Sequence, residues 1–332
     1  MAQAISVGIG HSLDNERSPW GGEGADDPLP LATPGGNVLK VGFNLLVLGA
    51  DITVEHARQL ERFKALGYDG VEVPVMSGDV ARYTALGHLL RDLGLSVATA
   101  GTVPADANPI SNDPAVRARA RDHHRWLVDC THAMGGEIIA GPVHSPVGVF
   151  TGFAATEDER CRCVEAMRAL AEYAMPAAVK ISAEAVNRFE CYVMSTTEHA
   201  SQIYREVDHP NYGYMFDTFH ANIEEKHPAA TYELYHREIN HYHISENDRG
   251  IPGTGHIPFS QHFDALRRCG YDDWLTVEAF GRSVPELAGA TRVWRNLFDD
   301  ADRLFSDSIA FIRREWSAAG ERLSGTGHEV SA

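Results

Sequence analysis

The strongest constraint on this chain is a rhythm. From Val38 onward, short runs rich in β-branched and aromatic residues alternate with longer segments whose apolar residues recur at helical spacing. The strand-like runs fall at 38–47, 69–75, 96–100, 137–143, 179–184, 214–217, 239–245 and 274–278. The helical segments fall at 53–67, 79–93, 115–134, 156–175, 196–207, 229–238 and 259–269, with a helical tail at 285–316 broken near 297–300. Each interval between strands holds a crossover helix, which makes the sheet parallel. Eight such units predict a single α/β domain, a closed (β/α)8 (TIM) barrel, rather than an open sheet. No glycine fingerprint follows the first strand, which argues against a dinucleotide site. The expected organisation is an irregular N-terminal extension over 1–37, a catalytic barrel over 38–317 with an extra C-terminal helix, and a tail over 318–332.

Composition narrows the partners. The 332 residues are 44% apolar and 23% charged, and no apolar run approaches membrane-span length. A net charge of -17 argues against nucleic acid, which needs a basic face, and leaves carboxylates free to bind metal. The cysteines, Cys130, Cys161, Cys163, Cys191 and Cys269, are scattered without zinc-site spacing. They are expected to be reduced, mostly buried thiols of a cytoplasmic protein. Residues 1–37 lack the build of a signal peptide and are punctuated by Gly and Pro. They read either as a loose tail or, given Trp20, as a segment that packs on a neighbouring surface such as another chain.

In such a barrel, function resides at the C-terminal ends of the strands. Strand five ends in Glu184, strand six in Asp217 and strand eight in Glu278, and strand seven carries His243. Singly, each reads as a buried polar group or a helix cap; Asp217 in particular reads equally as an N-cap. Together, three carboxylates and one imidazole at a common mouth suit one divalent ion such as Mn²⁺, Mg²⁺ or Co²⁺. Glu190 and His220 follow in the adjoining loops. Arg249 is the lone basic residue of an acidic loop, placed either to reach a substrate oxygen or to pair with Asp248 or Glu246. His144, in a Gly/Pro loop after strand four, is a cap or a catalytic group.

Three ordered motifs carry a resemblance: Ala183-Glu184-Ala-Val-Asn-Arg-Phe-Glu190, Phe216-Asp217-Thr-Phe-His-Ala-Asn-Ile-Glu-Glu225, and His243-Ile-Ser-Glu-Asn-Asp-Arg249 followed by Pro252-Gly-Thr-Gly-His256. Over roughly residues 38–316 the chain resembles the sugar isomerase/epimerase superfamily with the xylose-isomerase-like barrel. Within it, the D-tagatose and D-allulose (psicose) 3-epimerases are the group most like it. The resemblance implies that Glu184, Asp217, His243 and Glu278 hold one metal ion, usually Mn²⁺. It also implies that Glu184 and Glu278 are an acid/base pair on opposite faces of a sugar, and that Glu190, His220 and Arg249 hold its carbonyl end. The implied reaction removes a proton beside a ketone and returns it to the other face, with metal and Arg249 stabilising the enediolate charge.

Two departures leave an alternative open. The extension before the first strand is long, and His144 stands where epimerases vary. Both features also resemble the α-subunit of bacterial C-glycoside deglycosidases, a lyase that eliminates the aglycone from a 3-keto-glycoside. There His144 would be a base or proton donor, and residues 1–37 would clasp a small β-subunit. The expected ligand is therefore a small sugar or keto-glycoside, and the expected assembly a homo-oligomer or that hetero-oligomer.

Overall fold

A computed structural model describes residues 39–325; the segment 1–37 lies outside the described residues. The strands are β1 Lys40–Phe43, β2 Gly70–Val75, β3 Ser96–Gly101, β4 Ile138–Gly141, β5 Lys180–Glu184, β6 Tyr212–Asp217, β7 Ile239–Ile244 and β8 Trp274–Val277. They form one eight-stranded sheet in which sequence neighbours pair in parallel and β1 pairs with β8. The remaining seam, between β1 and β2, carries one bridge, Asn44 to Glu72. It is reinforced by Asp69, whose backbone N–H donates to Val41 O (2.9 Å). The Asp69 Oδ2 in turn accepts from Val41 N at 2.9 Å. A carboxylate thus replaces a ladder bond where the barrel closes.

Helices α1 Ala57–Leu66, α2 Val80–Asp92, α3 Pro114–Ala133, α4 Glu157–Ala174 and α5 Thr197–Val207 follow the first five strands. The short α6 Thr218–Glu224 and α7 Pro228–Tyr235 follow β6, α8 Phe259–Arg268 follows β7, and α9 Pro285–Thr291 and α10 Ala301–Gly325 follow β8. The boundaries have local causes. Gly67 ends α1 in a left-handed conformation (φ 90°), as expected, and Asp79, Asp113 and Thr196 cap α2, α3 and α5. Thr156 and Glu159 form a capping box on α4. The first strand is shorter than expected because Asn44 Oδ1 accepts from Leu46 N (2.9 Å) and turns the chain into a 3₁₀ segment at Leu45–Val47. Helix α10 packs against both α8 and α1, so it occupies the eighth place in the helix ring, and it continues past residue 317. The short α9 is the addition.

The outer layer packs apolar side chains between sheet and helices. Phe43, Phe63, Tyr68 and Phe305, for example, form a mutually tilted cluster with ring centroids 4.6–5.7 Å apart. The barrel interior is built differently. Trp274 on β8 fills its lower end with Ala98 and Ile138, and is almost wholly buried. Two glycines make room for it: a Cβ at Gly42 would lie 2.9 Å from the indole, and one at Gly70 would lie 2.4 Å from the indole and 2.3 Å from Ser96 O. Above the indole the interior turns polar, with Glu72, His241, His243 and Thr276 all buried. Among the described residues, no helix is long and apolar enough to cross a membrane. All five cysteines are free thiols; Cys130, Cys163 and Cys191 are buried and Cys161 is exposed.

Candidate metal centre

Side chains alternate across a strand, so the inward positions of β5 to β8 converge at the upper end of the barrel. Glu184, Asp217, His243 and Glu278 meet there, each with one ligand atom within 4.8 Å of the others, and all four are buried. His243 Nδ1 lies 3.4 Å from Asp217 Oδ2 and 3.8 Å from Glu278 Oε1. Three of the buried atoms in this cluster, Glu184 Oε1, Asp217 Oδ2 and His243 Nδ1, make no hydrogen bond. Each orphaned buried polar atom costs about 1–3 kcal/mol. A single cation would satisfy all three, and the oxygen-rich donor set suits a hard or borderline divalent ion.

The two readings of Asp217 turn out to be compatible. Its Oδ1 accepts from His220 N at 2.9 Å and caps α6, while Oδ2 is left facing the cluster. The same cap sets His220 in place. His220 Nδ1 accepts from Asn187 N (3.2 Å) and lies 2.8 Å from Asn187 Nδ2, which turns its Nε2 to a position 3.4 Å from Glu184 Oε1. Asn187 also donates to Glu190 Oε1 at 2.9 Å, which places the half-buried Glu190 at the rim, one residue removed from His220.

Arg249 enters from the loop after β7, which Glu246 folds: its buried carboxylate accepts from the backbone N–H of Asn247, Gly253 and Ile257. The Arg249 backbone is left-handed (φ 65°), a conformation that costs a non-glycine residue about 1–2 kcal/mol. Its guanidinium stacks 3.9 Å from the Phe219 ring centroid and 5.0 Å from that of Phe280. It bonds Glu278 Oε2, lies 3.7 Å from Asp217 Oδ2 and reaches His220 Nε2 at 3.0 Å. Of the two readings of Arg249, the pairing is therefore with Glu278, and not with Glu246. Asp248 pairs with Arg295 at 2.9 Å instead.

These charges drive the carboxylates apart. Burial, reinforced by Glu278 and Asp217, raises Glu184 above the ordinary carboxylate range. Asp217 is held below it: burial opposes ionisation, but Arg249, His220 and His243 outweigh it.

His144 is fully buried and does not open onto the cluster. Its Nε2 donates to the backbone oxygen of Glu184 at 2.8 Å, and its Nδ1 accepts from Ser145 Oγ at 3.0 Å. Two hydroxyls brace the other strand ends: Thr218 Oγ1 donates to Ser245 O at 2.7 Å, and Ser245 Oγ donates to Glu278 O at 3.0 Å. Burial lowers His144 to about 4, and does the same to His124 and His262. Unfolded, all three would titrate near 6.5, so the unfolded chain binds more protons between the two values. Their contribution to stability is intact above about pH 6.5 and is lost as pH falls towards 4. The urea midpoint of metal-free protein is expected to drop between pH 7 and 4.5, by an amount worth several kcal/mol at about 1.4 kcal/mol per pKa unit. An unchanged midpoint would contradict this account.

The structure brings Glu184, Asp217, His243 and Glu278 together with His220 and Arg249, as the strand ends suggested, and adds a layer beneath them that the strand ends did not signal. Glu72 accepts from Asn44 Nδ2 (2.8 Å), His241 Nε2 (2.7 Å) and His243 Nε2 (3.1 Å), with none of its surface exposed. Two signals were available: a lone Glu between valines in the second strand, and a histidine two residues before His243, hence on the same face.

Comparison with known proteins shows which family this barrel belongs to. The chain is 33% identical over 276 residues to an L-ribulose 3-epimerase of Mesorhizobium japonicum, covering 82% of this chain and 93% of that protein. It is 31% identical to an L-ribulose 3-epimerase of Methylomonas sp., covering 84% of this chain and 98% of that one. A crystal structure of D-allulose 3-epimerase from Methylomonas sp. in complex with D-allulose superposes with a TM-score of 0.79 at 30% identity, covering 84% of this chain and 98% of that chain. Residues 60–315 match the family described as xylose isomerase-like TIM barrel. With its barrel, its upper-end cluster and this match in agreement, the chain belongs to the xylose isomerase-like TIM barrel family.

Proposed function

We propose that the protein is an isomerase, a divalent-metal-dependent ketose 3-epimerase acting on a free sugar. The observation that carries this reading is the buried cluster itself, in which Glu184 and Glu278 enter from β5 and from just beyond β8 around one set of atoms that make no hydrogen bond. That placement suits epimerisation, which needs one carboxylate to take a proton from C3 and another to deliver one to the opposite face. No electrons are exchanged and no group leaves. The raised Glu184 sits closer to the pH at which a carboxyl both takes and gives a proton.

Glu184, Asp217, His243 and Glu278 would hold the ion, for which Mn²⁺ is our choice over Co²⁺ or Mg²⁺. When bound, it supplies Lewis-acid stabilisation of the charge that develops on the oxygens flanking the deprotonated carbon. Arg249 stands beside the two carboxylates, with His220 against its guanidinium, and is fixed in place before substrate arrives, so it stabilises that charge without reorganising. Glu190 orients His220 through Asn187. His144 positions rather than reacts, because its nitrogens are committed to Glu184 O and Ser145 Oγ. That commitment favours the epimerase over the lyase reading, in which His144 would be a free base.

The relatives named as 3-epimerases support the same reading. The test is incubation with Mn²⁺ and, in turn, fructose, tagatose, psicose, sorbose and L-ribulose. At least one is expected to yield its C3 epimer; none doing so would overturn the proposal.

A further inference from the structure

Glu72, His241 and His243 form a second buried cluster directly beneath the centre, and the mechanism above uses only His243. Glu72 lies on β2, across the barrel from the four ligands' strands, and nothing in the reaction requires a fourth carboxylate there. Every hydrogen-bond neighbour of that carboxylate is a donor. Asn44 Nδ2 reaches Oε1 at 2.8 Å, His241 Nε2 reaches Oε2 at 2.7 Å, and His243 Nε2 lies 3.1 and 3.2 Å from the two oxygens. An ionised carboxylate satisfies three donors; a neutral carboxyl or an amide would point a hydrogen at one of them.

We propose that Glu72 is the positioning residue of the metal centre. By accepting the Nε2 proton of His243, it fixes that tautomer and turns the Nδ1 lone pair towards Asp217, Glu278 and the ion. Asn44 extends the clamp, since its Nδ2 also reaches Glu278 Oε1 at 3.1 Å and so ties Glu72 to a ligand on the far side of the seam. From below, His241 packs edge-on to His243 (5.2 Å between centroids) and tilted against Trp274 (6.5 Å), which prevents the carboxylate from sinking away. The lower cluster is a clamp rather than a second ion site, because the hydrogens of Asn44, His241 and His243 occupy both oxygens of Glu72. An ion there would also strip the proton from Nε2 of His243.

This inference rests on the metal reading of the preceding subsection, and its test separates the two. Mn²⁺ binding to the full chain is followed by the electron paramagnetic resonance of free Mn²⁺. Wild type is expected to bind one ion per chain, and Glu72→Gln to bind it about 10–100-fold more weakly. Glu72→Asp, which keeps the charge, is expected to fall between them. Equal affinity in wild type and Glu72→Gln overturns the positioning role, and so do two ions per wild-type chain. A wild type that binds no ion overturns the metal reading itself. Should Glu72→Gln not fold, ¹⁵N spectroscopy of wild type loaded with Zn²⁺ decides: a proton on Nε2 of His243 is expected, and a proton on Nδ1 overturns the proposal.

Discussion

Glu184→Gln and Glu278→Gln are each expected to lower kcat for C3 epimerisation by about 10³–10⁴-fold, at the upper end of what positioned acid–base groups contribute. Two effects combine. The amide can neither take up nor return a proton at C3, so one face of the sugar loses its only partner. It also replaces one charged oxygen of the ligand set with a neutral one, leaving Arg249 without its charge-assisted bond in Glu278→Gln. Measuring kcat at saturating Mn²⁺, with bound metal quantified in the same samples, separates lost chemistry from lost ion. A metal-loaded variant that keeps more than a tenth of wild-type kcat would remove that residue from the acid/base pair.

Chelation is expected to abolish turnover and lower the melting temperature, with Mn²⁺ restoring both. Saturation at 100 times the dissociation constant stabilises a protein by about 2.7 kcal/mol. At about 2–4 °C per kcal/mol for a chain of this order of size, that is a shift of about 5–10 °C. The shift has a pH dependence whose sign follows from the metal-free centre. Burial opposes charge on His243, but the negative charge of Glu72, with Asp217 and Glu278 close by, holds it well above the ordinary imidazole value. The ion requires the neutral ring, so it must displace a proton, and apparent affinity weakens as pH falls. The melting shift produced by a fixed Mn²⁺ concentration should therefore be larger at pH 8 than at pH 6. The reverse order would show that His243 does not bind the ion.

The parts of this structure legible in the sequence were those written as periodicity. Eight alternations dictated eight strands, and the strand ends could be counted off to Glu184, Asp217, His243 and Glu278 because β-strand side chains repeat every two residues. What the sequence hid was partnership at long range. Nothing near His144 shows that its ring bonds the backbone of Glu184, 40 residues on. Nothing near Asn44 shows that it spans Glu72 and Glu278. The short helix α6 escaped notice because seven residues carry too little apolar repeat; its start is marked only by Asp217, whose carboxylate was already counted as a ligand. The expected end of the barrel at residue 317 fell inside α10, where Ala319 is still buried.

The closure of β1 on β8 has a consequence for how the protein is made. Asn44 and Glu278, which meet in the finished centre, are 234 positions apart. A ribosome adding 5–20 residues per second takes about 10–50 s between them. Throughout that interval β1 lacks its β8 neighbour, and the ligand set is short of its last carboxylate. An ion held as proposed could therefore not template the nascent chain; it would only reward a barrel that apolar packing has already brought round. On the proposed function, metal supply during growth should then govern how much of the folded chain is active and leave the yield of folded chain unchanged.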